Sequence, residues 1–146
     1  MENLEMPKGK RKINKIYIHH SASPRAKTTR EDIYKWHVVE RGWRDIGYHY
    51  MINNLDMVEI GRVENTTGAH VKNDNATSIG ICVFGNYETE VPTAKQIEVL
   101  KDLVNGLLDK HSLTWQDVYG HRDGGATACP GKNLYAVLQQ IKQSYC

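Results

Sequence analysis

The period of the apolar positions changes several times along the chain, and each change marks an element. From Ile13 to His20 the run INKIYIHH is β-branched and aromatic, the signature of a buried strand. Thr28, with Glu31 three residues on, predicts a capping box that opens a helix. Ile33, Trp36 and His37 share one face of that helix, and Gly42 ends it near residue 41. The stretch GWRDIGYHYMINNLDMVEIGR reads as a hairpin, with strands Tyr48–Asn53 and Met57–Gly61 around the turn Asn54-Leu55-Asp56. Strict alternation puts Tyr48 and Tyr50 on one face and His49 on the other. SIGICVFG, residues 78–85, is continuously apolar, as a central strand buried on both faces should be. A second capping box, Thr93 to Gln96, starts the longest helix, whose stripe Ile97, Leu100, Val104, Leu107 and Leu108 runs to about Lys110. Asp117 to Gly120 is a short strand, and a last helix from Leu134 to about Gln143 buries Leu134, Val137, Leu138 and Ile141. The order β-α-β-β-β-α-β-α predicts an α/β domain: a mixed central sheet flanked by helices.

Composition narrows this picture without redirecting it. At 146 residues, 40% hydrophobic and 25% charged, the chain can bury one real core, so residues 13–146 are expected to form a single domain. No apolar run approaches the roughly 18 residues of a membrane span. MENLEMPKGKRK has no hydrophobic segment after its basic cluster, so no secretory signal is expected and synthesis should leave the protein in the cytoplasm. Lys8, Lys10, Arg11 and Lys12 against Glu2 and Glu5 account for the whole net charge of +2. Residues 1–12 therefore read as a solvated basic tail rather than a nucleic-acid contact. A monomer is expected. Three widely spaced cysteines make no disulfide framework. Cys82 lies in an apolar strand and reads as packing, Cys146 is the last residue, and only Cys129 sits where chemistry is plausible.

That cysteine belongs to GHRDGGATACPG, residues 120–131. The motif sets His121 and Cys129 eight residues apart on an irregular loop, with Pro130 and Gly131 making a tight turn behind the thiol. Imidazole and thiolate are the donors zinc favours, and a loop between them can wrap one ion. Two ligands do not complete a site. His19 and His20 offer a third, but adjacent strand residues face opposite ways, so only one can join, and spacing does not choose between them. His37 is placed to pack beneath a site. The polar loop ENTTGAHVKNDNATS carries His70 and has the length that signals function or disorder. Tyr48, as a strand tyrosine, reads from pattern alone as packing.

Together YIHHSAS, GWRDIGYHY, the GAH…SIGICVFGNYETEVPT run and GHRDGGATACPG resemble the zinc amidase family of bacteriophage lysozyme-type amidases and animal peptidoglycan recognition proteins. The blocks fall in the family's order over roughly residues 13–143. The resemblance implies a mixed sheet with flanking helices and a groove holding one zinc, and hydrolysis of the amide joining N-acetylmuramic acid to L-alanine in peptidoglycan. Carried over position by position, it implies His19, His121 and Cys129 as the zinc ligands, with His20 facing away. Tyr48 becomes the active-site tyrosine and His70 lines the substrate groove; His37, from its place on the helix, is expected at or beneath the floor of that groove. One departure is visible. Phage lytic members have a lysine two residues before the cysteine, where this chain has Thr127, so a fixed positive charge beside the developing oxyanion is missing. Thr127 then assists Tyr48 as a hydroxyl donor.

Two other classes compete. A non-catalytic wall-binding module is one, although members of that branch usually lose the thiolate ligand that Cys129 retains. A cysteine hydrolase with a histidine base is the other. Pro130 counts against it, because its missing N–H removes a donor beside the nucleophile.

Overall fold

A computed structural model describes residues 11–145. Five strands, β1 (Lys15–His20), β2 (Tyr50–Ile52), β3 (Val58–Ile60), β4 (Ser78–Val83) and β5 (Val118–Gly120), form one sheet in the order β3-β2-β4-β1-β5. Only the β2–β3 hairpin is antiparallel; β4 pairs parallel with β1 and β2, and β1 with β5. The mixed sheet expected from the pattern is present, and the continuously apolar β4 lies at its centre, buried at every position.

Alternation along the strands sorts the two faces. Ile16, Ile18, Ile52, Ile79, Ile81, Val83 and Val118 point to one side, where α2 (Ala94–His111) and α3 (Lys132–Ser144) cover them with Leu100, Val104, Leu107, Leu134, Leu138 and Ile141. This is the main core. On the other face Met51, Cys82 and Phe84 pack with Ile33 of α1 (Arg30–Tyr34) and with Ile46. That smaller cluster leaves the end of the sheet near His19 open, and the site occupies the gap.

Three local expectations need correction. Helix α1 is capped by Thr29 with Asp32, one residue later than the Thr28–Glu31 box. Both pairs have the spacing, but the Thr28 hydroxyl is committed to the Pro24 carbonyl at 2.6 Å and is buried there. The expected continuous helix also changes character: residues 35–40 form a π-helical turn, which carries His37 inward. Tyr48 and Tyr50 do not share a face. Strand β2 starts only at Tyr50, and the irregular backbone before it breaks the alternation. Tyr48 therefore packs with the Met51 cluster and Tyr50 with the main core.

Residues 1–10 of the expected tail, and Cys146, lie outside the described residues. Arg11, grouped by charge with that tail, is instead tied to the domain. Its guanidinium donates to the carbonyls of Glu64, Asn75, Ala76 and Ser78.

His49, fully buried, gives the fold a pH dependence. The Gly80 N–H donates to its Nδ1 at 3.1 Å, and its Nε2 lies 2.7 Å from the Thr66 carbonyl, so the ring is neutral. Burial lowers its pKa to about 4, whereas in the unfolded chain it titrates near about 6.5. Between those values the unfolded chain holds the extra proton. Stability is therefore full above about pH 6.5 and falls as pH drops toward about 4, by roughly 1.4 kcal/mol per unit for one such histidine. Urea unfolding across that window should give a slope that His49→Gln reduces by about one proton. An unchanged slope would mean that His49 is already charged in the native state.

Candidate metal centre

Each of the three donors reaches the site for a different local reason. His19 sits next to last on β1, where alternation turns it with Tyr17 away from the main core and Tyr87 receives its neighbour instead: the Tyr87 N–H donates to His20 Nδ1 at 3.0 Å. His121 follows β5 directly, in a tight turn closed by the Gly124 N–H to the His121 carbonyl. Asp123 holds that turn. Its carboxylate accepts the Gly120 N–H at 3.0 Å and the Tyr135 hydroxyl at 2.7 Å. Asp123 was missed as a supporting residue, although a carboxylate three residues after Gly120 is the spacing of a turn cap. Cys129 returns to the side of His19 and His121 because the Arg122 N–H bonds its carbonyl at 2.8 Å.

Behind the thiol, Gly131 lies against the β4–α2 connection with φ +89°. A Cβ there would stand 2.5 Å from the Tyr87 carbonyl carbon. Lys132 and Asn133 donate backbone N–H groups to Glu88 and Tyr87 beside it. Gly131→Ala should therefore cost about 1–3 kcal/mol through backbone strain and lift the ligand loop. Thermal unfolding checks it, and a variant as stable as wild type would show that the loop relaxes freely.

The donor atoms of His19, His121 and Cys129 all lie within 4.8 Å of one another, the one such group among the described residues. His19 Nδ1 is 3.7 Å from Cys129 Sγ. Tetrahedral zinc with its usual bond lengths sets nitrogen and sulfur about 3.6 Å apart, so the residues present fit one zinc ion. The His20 backbone N–H points at the sulfur from 3.4 Å, a donor suited to a thiolate. Burial pushes the Cys129 thiol up to about 12, and burial together with the neighbouring His70 and His121 holds His19 well below its ordinary value. Without a cation the group is thus a neutral thiol beside neutral imidazoles.

A cleft of about 580 Å³ opens over this group. His37, Tyr48, His70, His121, Thr127 and Cys129 all line it. So do Arg41 and Trp43, with the Arg41 guanidinium 5.2 Å above the indole, and Asn86 and Glu88 on the rim; none of these four was singled out from sequence. Tyr48 sits 5.0 Å from the His19 ring, centroid to centroid. Burial, then the nearby Cys82 and Cys129 sulfurs, raise its phenol well above 10. It is a donor, not a base. His37 packs between Tyr48 and Trp43, and its Nδ1 accepts the Gly47 N–H at 2.9 Å. Thr127 is exposed, and its oxygen accepts the Cys129 N–H at 3.2 Å, which leaves its proton free to donate. His70 borders the cleft but has both ring nitrogens engaged, Nδ1 at 2.9 Å from His19 Nε2 and Nε2 at 3.3 Å from Ser78 Oγ.

A mixed sheet with helices on both sides and a three-donor group at the carboxyl end of adjacent parallel strands defines an amidase or peptidoglycan-recognition type of domain. Residues 9–132 match the N-acetylmuramoyl-L-alanine amidase family, and the chain belongs to it. It is 37% identical over 129 residues to peptidoglycan-recognition protein SC2 of Drosophila melanogaster, covering 84% of this chain and 70% of that one. It is 33% identical over 134 residues to an endolysin of Klebsiella phage KP32, covering 86% and 85%. Among solved structures it resembles the N-acetylmuramoyl-L-alanine amidase LysC from Clostridium intestinale URNW, with TM-score 0.82 and 34% identity over 91% of this chain and 85% of that one. A tyrosine-to-phenylalanine mutant of Drosophila PGRP-LB in complex with tracheal cytotoxin superposes with TM-score 0.80 at 30% identity, over 90% and 82%. No helix of the described residues is long and apolar enough to cross a membrane.

Proposed function

We propose that this protein is a zinc-dependent N-acetylmuramoyl-L-alanine amidase, cleaving the amide between the lactyl group of N-acetylmuramic acid and L-alanine in peptidoglycan. The observation that carries the reading is the convergence of three donors, and no fourth among the described residues, on a point open to a cleft. Structural zinc sites are closed by four protein ligands, and catalytic ones keep a position free. Zinc bound there supplies Lewis acidity and a water of lowered pKa.

The chain's own residues do the rest. His19, His121 and Cys129 hold the ion, and the His20 N–H stabilises the thiolate. Tyr48, kept protonated by burial, donates its hydroxyl to the oxygen on which negative charge develops. Thr127 adds a second hydroxyl from the ligand loop. His37 fixes Tyr48 by ring contact, while Arg41, Trp43 and Glu88 offer charged and aromatic surface to the muropeptide.

A cysteine-hydrolase reading loses support from the thiol itself, which burial keeps protonated at neutral pH. The recognition-module reading draws on the likeness to the Drosophila peptidoglycan-recognition proteins. Chelation and zinc restoration separate all three, with muropeptide products identified by mass. An amidase stops on chelation and resumes with zinc, releasing stem peptide. A thiol enzyme is indifferent to both treatments. A recognition module binds muropeptide and releases nothing.

A further inference from the structure

Ser78 stands outside the cleft, yet its hydroxyl decides which way a chain of hydrogen bonds runs. Its oxygen lies 2.7 Å from the Asp74 carbonyl, which can only accept, so the hydroxyl proton points there. The same oxygen lies 3.3 Å from His70 Nε2. With its proton spent, Ser78 can only accept from the ring, and His70 must carry its proton on Nε2. His70 Nδ1 is then a bare lone pair, 2.9 Å from His19 Nε2, so His19 must be the donor of that bond. A neutral imidazole protonated on Nε2 is unprotonated on Nδ1. That atom is the one facing Cys129 Sγ at 3.7 Å.

We infer that Ser78 and His70 are positioning residues for the metal centre: they lock His19 in the tautomer that presents a free Nδ1 lone pair to the ion. The order runs from the Asp74 carbonyl through Ser78 and His70 to His19, with every proton placed by an acceptor that cannot donate. The inference rests on the zinc reading of the three donors and assigns His70 a task other than touching substrate.

The surroundings hold this relay rigidly. Asn75 Oδ1 accepts the N–H groups of both His70 and Val71, at 2.8 and 2.9 Å, and so fixes the backbone that delivers the ring. The ring lies flat against the glycine of SIG: a Cβ on Gly80 would stand 2.6 Å from His70 Cγ and 2.7 Å from its Nδ1. No side chain larger than hydrogen leaves room for His70 at hydrogen-bond distance from His19. The three residues are buried, so water does not compete for their nitrogens.

The test begins with the metal-free wild-type protein and needs no activity. Long-range nitrogen–proton NMR of the histidine rings, on protein labelled with nitrogen-15, should show His19 and His70 both protonated on Nε2. Either ring protonated on Nδ1 overturns the relay, whatever the variants do. Zinc affinity, read by competition with a chromophoric chelator, should weaken by about 10–100-fold in Ser78→Ala, the usual effect of losing an outer partner of a ligating histidine. Ser78→Thr keeps the hydroxyl and should restore wild-type affinity and the wild-type ring spectrum. Equal affinity of Ser78→Ala and wild type, or an equal loss in both variants, removes Ser78 from the role. A wild type that binds no zinc would sink the metal reading instead, a separate result from a changed tautomer.

Discussion

Cys129→Ala is expected to leave the protein without bound zinc and with turnover at background. The variant loses the softest of three donors, and the pair that remains, His19 and His121, offers too few ligands to hold the ion against buffer or chelator. The thiolate is also the donor the chain has prepared most. It is reached by the His20 N–H and carried on a loop clamped by the Arg122 N–H to the Cys129 carbonyl. Metal binding is linked to folding, so wild type should melt higher with zinc than without, while the variant's melting temperature should not respond. Metal content of the purified proteins, with melting curves at several zinc concentrations, decides the matter. A Cys129→Ala protein that retains one zinc per chain would place the third ligand elsewhere. Retained turnover in metal-free wild type would bring back the thiol enzyme.

Tyr48→Phe should lower turnover by roughly two to three orders of magnitude, the cost of deleting one donor to a developing oxyanion. Zinc content should not change, because Tyr48 contacts the His19 ring without supplying a ligand. Muropeptide affinity should also stay near wild type, since the bond is strongest in the transition state. The raised pKa sharpens the expectation. A phenol held well above 10 cannot act as a base at neutral pH, so no limb of the pH–rate profile below pH 9, roughly, should disappear in the variant. Single-turnover kinetics with a defined muropeptide gives both numbers. Wild-type turnover in Tyr48→Phe would make the residue packing and leave Thr127 as the remaining hydroxyl donor.

Much of this molecule can be read from local pattern. The five strands and the two long helices follow from periodicity and capping, because a strand or helix that buries one face must repeat its apolar residues at its own period. The central place of β4 follows from its unbroken apolar run. The resemblance, carried on four blocks, groups His19, His121, Cys129, Tyr48, Thr127 and His70, helix periodicity adds His37, and the cleft contains all seven.

What local pattern left open is what depends on residues far apart in sequence. His19 and His20 are equivalent as neighbours on a strand. The fold separates them by putting Tyr87 on one side of β1 and Cys129 on the other, residues 67 and 109 positions from His20. Thr28 and Thr29 offered equal caps until the Pro24 carbonyl claimed Thr28. Tyr48 left the face of Tyr50 because regular strand pairing begins only at residue 50, and the backbone before it departs from alternation even though β4 continues beside it to Ser78. His70 is the clearest case. A histidine in a polar loop exposes two nitrogens to any partner, and only the approach of β1 and β4, with a glycine at the point of contact, commits one to His19 and the other to Ser78. Sequence determines which side chains can donate or accept. Tertiary structure decides between which pairs the protons lie, because a hydrogen bond requires about 3 Å and an angle that no spacing along a chain can specify.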